Sequence, residues 1–104
     1  MTHRRLTAAE LPEWLAAHPD ALLLDARDSA RHAQGHLPGA MRLDGHNHDA
    51  LLREEPRSRP VLVYCYSGNS SQAWARLFAQ AGFSEVADLA GGWVTWQLTA
   101  ADRR

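Results

Sequence analysis

Two short apolar runs and a third, mixed strand-like run, separated by segments of helical periodicity, restrict this chain more than any other feature. They are Ala21-Leu22-Leu23-Leu24-Asp25, Val61-Leu62-Val63-Tyr64 and Glu85-Val86-Ala87-Asp88-Leu89. Runs this short and this apolar read as strands, the first covered on both faces and the second the central strand of a sheet. Strands that alternate with helices build βα units and a mainly parallel sheet, hence an α/β fold. In such sheets ligands sit beyond the carboxyl ends of the strands.

The intervening segments carry helix signals. Thr7-Ala8-Ala9-Glu10 has the form of a capping box, with Thr7 as N-cap and a helix that carries Leu11, Trp14 and Leu15 to an end near His18-Pro19. A helical turn is expected over Ser29–Gln34. A turn at Gly35-His36-Leu37-Pro38-Gly39 and an extended piece at Ala40–Leu43 follow. His46–Arg53 reads as a short helix and Glu54–Pro60 as a loop. Ser70–Ala81 reads as a helix with Trp74, Leu77, Phe78 and Ala81 at core spacing and Gly82 as its stop. Gly91-Gly92 turns the chain into a last helix with Trp93, Trp96 and Gln97.

At 104 residues, 1–104 make one domain with a single core. Hydrophobic residues are 45% and charged residues 22%, a balance that suits a folded globule rather than a disordered chain. No apolar stretch approaches the ~20 residues that cross a bilayer, and no signal peptide is read at the amino terminus. A net charge of −1 points to neither nucleic acid nor a membrane surface. All 11 basic residues are arginine, so no lysine is available for Schiff-base or acid/base work. One cysteine forms no internal disulfide, which suits a reducing compartment, the cytoplasm.

That cysteine, Cys65, ends the Val61–Tyr64 run. The small polar loop Tyr66-Ser67-Gly68-Asn69-Ser70-Ser71 follows and feeds a helix. Unpaired amides and the positive end of the helix dipole converge at such a place, where they bind anions and favour thiolate over thiol. Gly68 permits a backbone approach that a side chain blocks. Ser67, Asn69, Ser70 and Ser71 supply hydroxyl and amide groups for hydrogen bonds or ordinary turn chemistry, with Ser70 or Ser71 as the helix cap.

Four pieces in this order and spacing resemble the rhodanese family of single-domain sulfurtransferases: Leu22-Leu23-Leu24-Asp25-Ala26-Arg27, Gly35-His36-Leu37-Pro38-Gly39-Ala40, Val63 to Ser71, and Leu89-Ala90-Gly91-Gly92-Trp93 with Trp96. The Cys-Tyr-x-Gly-Asn-Ser-Ser loop is similar to that of the short bacterial thiosulfate sulfurtransferases. The resemblance implies a parallel five-stranded sheet with helices on both faces. It also implies that Cys65 takes sulfur from a donor such as thiosulfate as a persulfide and passes it to a thiophilic acceptor: cyanide, a thiol or a protein. Many members carry Arg or Lys beside the nucleophile, whereas here no basic residue stands between Cys65 and Ala75. Donor binding then rests on amides and the dipole, and thiosulfate is expected to bind weakly.

Asp25 and Arg27 end the first run on the same side of the sheet as Cys65. They read first as an ion pair that organises the βα turn and second as positive potential at the site. His36 reads as a hydrogen-bonded turn residue, since a pre-ionised thiolate needs no base. Trp93 and Trp96 read as core, with a substrate-facing role for Trp93 as the alternative. His46-Asn47-His48-Asp49 lacks the i, i+4 spacing of a helical metal site, so no metal is expected, nor any organic cofactor. A cysteine-dependent phosphatase needs Cys-x5-Arg, and Ser71 stands where that arginine belongs. The remaining alternative is a rhodanese-like sulfur carrier or regulatory module acting with a specific protein partner. The expected partners are a small anionic sulfur donor and a thiol, cyanide or protein acceptor, met by a monomer.

Overall fold

The computed structural model describes residues 2–102. Ten elements alternate along the chain: β1 (Arg4–Leu6), α1 (Leu11–Ala17), β2 (Leu22–Asp25), α2 (Ser29–Gln34), β3 (Met41–Arg42), α3 (His48–Glu54), β4 (Val61–Tyr64), α4 (Ser70–Gln80), β5 (Val86–Leu89) and α5 (Gly92–Asp102). The strands form one five-stranded sheet in the order β1-β5-β4-β2-β3. Every pairing is parallel. β4 is central, with Val63 in register with Leu24 on one side and with Asp88 on the other.

Alternation along the strands sends side chains to two cores, which is why helices cover both faces. Leu22, Leu24, Val61, Val63 and Val86 pack with Leu51 of α3 and Ala75, Phe78 and Ala79 of α4. Leu6, Leu62, Tyr64, Ala87 and Leu89 pack with Leu11 and Trp14 of α1, and Trp93 and Trp96 of α5 lie against this second cluster.

Several boundaries depart from the sequence reading. The strand β1 was not anticipated, because Arg4-Arg5-Leu6 offers only one apolar side chain; it forms by pairing with β5, Leu6 opposite Leu89. The Thr7–Glu10 capping box is made in full: the Thr7 N–H donates to Glu10 Oε1 at 2.9 Å and the Glu10 N–H to Thr7 Oγ1 at 3.2 Å. It closes a turn ahead of the helix, so α1 begins at Leu11 and not directly after Thr7. The α3 helix starts two residues later than expected, because Asn47 spends its side chain on the Asp44 amide and the Arg42 carbonyl. In α4 the buried stripe is Ser71, Ala75, Phe78 and Ala79, while Leu77 is 44% exposed. Small residues on that stripe let the helix lie close to β4 and β5, which leaves Leu77 outside while Trp74 and Ala81, at its margins, pack partly buried against the first core. Gly82 ends the helix as expected.

Candidate active site

Cys65 directly follows the central strand and is 4% exposed. Its Sγ accepts the Gly68 N–H at 3.2 Å and the Ser71 N–H at 3.4 Å. The α4 N-cap is Asn69, whose side chain makes no capping bond. Neither Ser70 nor Ser71 caps the helix, contrary to the sequence expectation, because both already lie inside its first turn. The cysteine sulfur therefore takes the place of a capping oxygen, receiving an amide that the helix itself leaves unpaired.

A second helix start secures the other side of the same residue. The Trp93 N–H donates to the Cys65 carbonyl at 2.9 Å, and the Val94 N–H to the Tyr66 carbonyl at 3.1 Å. Gly92 makes this close approach possible, since a Cβ there would stand 2.6 Å from both carbonyl oxygens. Gly68 has φ +94°, and a Cβ on it would meet the Gly91 nitrogen at 2.8 Å. The loop is thus pinned through both of its faces.

Burial of the thiol opposes its ionisation. The polar groups around the sulfur, the Ser71 and Ser70 hydroxyls and the Ser71 and Gly68 amides, outweigh that penalty and hold the Cys65 pKa below the ordinary thiol value. The Ser71 hydroxyl has one proton, and it lies 3.0 Å from Asp88 Oδ2. An ionised carboxylate is the stronger acceptor. With the proton directed there, the Gly68 and Ser71 amides are the donors that bond the sulfur. Ser67 and Asn69 are exposed, and their side chains meet each other at the 3.5 Å limit of a hydrogen bond. Tyr66 is exposed, with the Arg31 guanidinium 4.6 Å from its ring centre.

The supporting residues separate. Asp25 and Arg27 are both buried: Arg27 Nε donates to Asp25 Oδ1 at 2.9 Å and Nη2 to Oδ2 at 2.7 Å. Arg27 Nη2 also donates to the Gly35 carbonyl at 2.6 Å, tying the β2 end to the Gly35–Gly39 turn. Burial raises the Asp25 pKa, but these bonds more than compensate and set it below the usual carboxylate range. The Tyr64 hydroxyl donates to Asp25 Oδ2 at 3.1 Å and accepts the Leu37 N–H at 3.1 Å. Burial lifts the Tyr64 pKa well above its ordinary value. His36 is exposed; its Nδ1 lies 2.6 Å from the His32 carbonyl and its ring stacks on His32. Arg27 and Arg31 share a cleft of about 260 Å³ with Tyr66 and Trp93, the Arg27 guanidinium lying 4.6 Å from a Trp93 ring centre. The exposed Arg31 of α2 brings cationic charge to the mouth of the loop, whereas the buried Arg27 is neutralised by Asp25. Trp93 thus serves the core and this cleft together. Among the described residues no three His, Cys, Asp or Glu side chains are grouped to hold a metal ion, and no helix is long and apolar enough to cross a membrane.

The sequence reading missed His3, Arg5 and Asp88. Asp88 is fully buried in β5 and accepts from Arg5 Nε and Nη2, both at 3.1 Å, from His3 Nε2 at 3.0 Å and from Ser71 Oγ at 3.0 Å. The signal was present, because a carboxylate inside an apolar strand requires partners.

A profile of the Rhodanese-like domain matches residues 7–99. The thiosulfate sulfurtransferase GlpE of Pseudomonas fluorescens is 40% identical over 79 residues, covering 76% of this chain and 72% of that protein. The rhodanese-like domain of the Alr3790 protein from Anabaena sp. superposes with a TM-score of 0.78 at 27% identity, over 94% of this chain and 76% of the other. A rhodanese-related protein from Thermoplasma volcanium, at 23% identity and TM-score 0.77 over 93% of each chain, shares the fold.

Proposed function

This chain belongs to the rhodanese-like domain family, and on that premise we propose that it is a thiosulfate sulfurtransferase that works through a persulfide on Cys65. The observation that carries the reading is the pair of amides, from Gly68 and Ser71, donating to a sulfur at the end of the central strand. These bonds favour the thiolate, the nucleophilic form. The thiolate attacks the outer sulfur of thiosulfate. The S–S bond of the donor breaks, sulfite leaves with the bonding pair, and Cys65 holds a persulfide anion. Cyanide or a thiolate then attacks the outer sulfur, and the Cys65 thiolate departs, regenerated. Electrons balance within the two displacements, so no separate oxidant or reductant takes part. The fixed amides meet negative charge on sulfur at each stage, and they require no reorganisation.

The cleft beside Tyr66 supplies the cationic approach that the loop lacks. Arg31 is exposed there, with only Asp28 as an ion-pair partner among the described residues. Phosphate monoester chemistry is disfavoured: Ser71 occupies the position of a phosphate-clamping arginine and turns its hydroxyl to Asp88. The test is intact mass after incubation with thiosulfate. The expected result is a gain of one sulfur atom, removed by cyanide with release of thiocyanate and absent in Cys65→Ser. A folded, reduced protein that gains no sulfur from thiosulfate or from a small-molecule persulfide refutes the proposal and favours a binding module.

A further inference from the structure

The two residues whose amides face the sulfur, Gly68 and Ser71, are each held by a group outside the loop, and both holds lead to a single ion pair. Arg5 Nη2 donates to the Gly68 carbonyl at 2.8 Å while the same guanidinium grips Asp88 through Nε and Nη2. Asp88 Oδ2 accepts the Ser71 hydroxyl. With His3 on Oδ1, the four acceptor sites of the carboxylate are filled. Gln72 adds a second donor to the Gly68 carbonyl at 3.0 Å. The Arg5 side chain is 41% exposed and that of Asp88 is fully buried, so the pair runs from the surface at β1 to the foot of the active-site loop.

We propose that Arg5 and Asp88 form a positioning unit for Cys65, holding the Gly68 carbonyl and the Ser71 side chain so that the loop keeps the Gly68 and Ser71 N–H groups aimed at the sulfur. Neither residue touches the sulfur. Arg5 sets one end of the arc and Asp88 the other. The geometry needs a planar fork: one nitrogen must serve the loop carbonyl and the carboxylate together while a second closes the pair. An ammonium group supplies charge without that shape. The inference takes Cys65 as the reacting group, as proposed above, but its test requires no sulfur donor.

The test is the pH dependence of Cys65 alkylation by iodoacetamide in wild type, Arg5→Ala and Arg5→Lys, followed by intact mass. In Arg5→Ala the acid limb is expected to move to higher pH, with alkylation near neutrality slowed about tenfold and the alkaline plateau unchanged. Methylguanidinium at millimolar concentration restores part of the lost rate, and Arg5→Lys stays close to Arg5→Ala. Circular dichroism checks that each variant is folded. If Arg5→Ala is poorly folded, Arg5→Met retains the apolar stem and gives the same readout. An unshifted acid limb in the folded variant overturns the inference. Full recovery in Arg5→Lys overturns it too, because charge alone would then account for the effect. A protein that shows the predicted shift yet takes no sulfur from any donor retains the positioning unit and loses the proposed transferase chemistry.

Discussion

Gly68→Ala strikes the loop at the point where conformation and chemistry meet. At φ +94° an L-residue carries a backbone penalty of about 1–2 kcal/mol. The added Cβ would stand 2.8 Å from the Gly91 nitrogen and 3.3 Å from the Leu89 carbonyl oxygen, both backbone atoms that cannot swing aside. The loop must shift, and the first bond affected is the 3.2 Å contact from the Gly68 N–H to Cys65 Sγ. A hydrogen bond to a charged group contributes about 1.5–3 kcal/mol, which is about ten- to hundredfold in the ionisation constant of the thiol. Sulfur transfer and iodoacetamide alkylation below the wild-type midpoint should fall by that factor. Alkylation at high pH, where all thiol is ionised, should change by less than about twofold. Paired pH–rate profiles with intact-mass detection provide the measurement. A folded Gly68→Ala protein whose acid limb coincides with wild type would show that the amide does not stabilise the thiolate, and the account of the site would fail with it.

Tyr64→Phe removes a hydroxyl that bridges the Leu37 N–H and Asp25 inside the second core; it should cost about 1–3 kcal/mol in urea denaturation, since a buried donor is left unpaired. The Asp25 pKa lies below its ordinary value. Its contribution to stability is therefore complete above the unfolded carboxylate pKa of about 3.9 and is lost as pH falls through the lower folded value. The urea midpoint should drop across that acid window, with a shallower drop in Asp25→Asn. Arg31→Ala should raise the thiosulfate KM about two- to fivefold while kcat and alkylation by neutral iodoacetamide hold steady, as expected for an exposed cation that guides an anion; an unchanged KM removes the cleft from the donor's path.

The sheet was legible because Leu22–Leu24 and Val61–Tyr64 are short, wholly apolar runs, Val86–Leu89 is apolar but for Asp88, and a parallel order follows once helices separate them. The edge was not legible: Arg4-Arg5-Leu6 has no strand signature of its own and exists as a strand only against Leu89 and its neighbours. On α4 the hydrophobic pattern finds Phe78, Trp74 and Ala81 but errs at Leu77, which is exposed, and passes over Ser71, Ala75 and Ala79, the small residues that close packing against the sheet selects. Cys65 and its loop stood out through their position after the central strand. The contacts that organise them depend on Arg5, Asp88 and Gly92, between 23 and 60 residues away in sequence. No local pattern records such a convergence. The one trace was Asp88 itself, a charge among apolar strand neighbours.

A cysteine that serves as the cap of its own helix makes reactivity and folding reciprocal. The folded chain lowers the thiol pKa, so ionising the thiol must in turn strengthen the folded chain. This gain is complete above the unfolded thiol pKa of about 8.5 and fades as pH falls through the folded one. The molecule is then most resistant to unfolding when its nucleophile is armed, and replacing Cys65 by alanine surrenders the alkaline part of that resistance along with the chemistry.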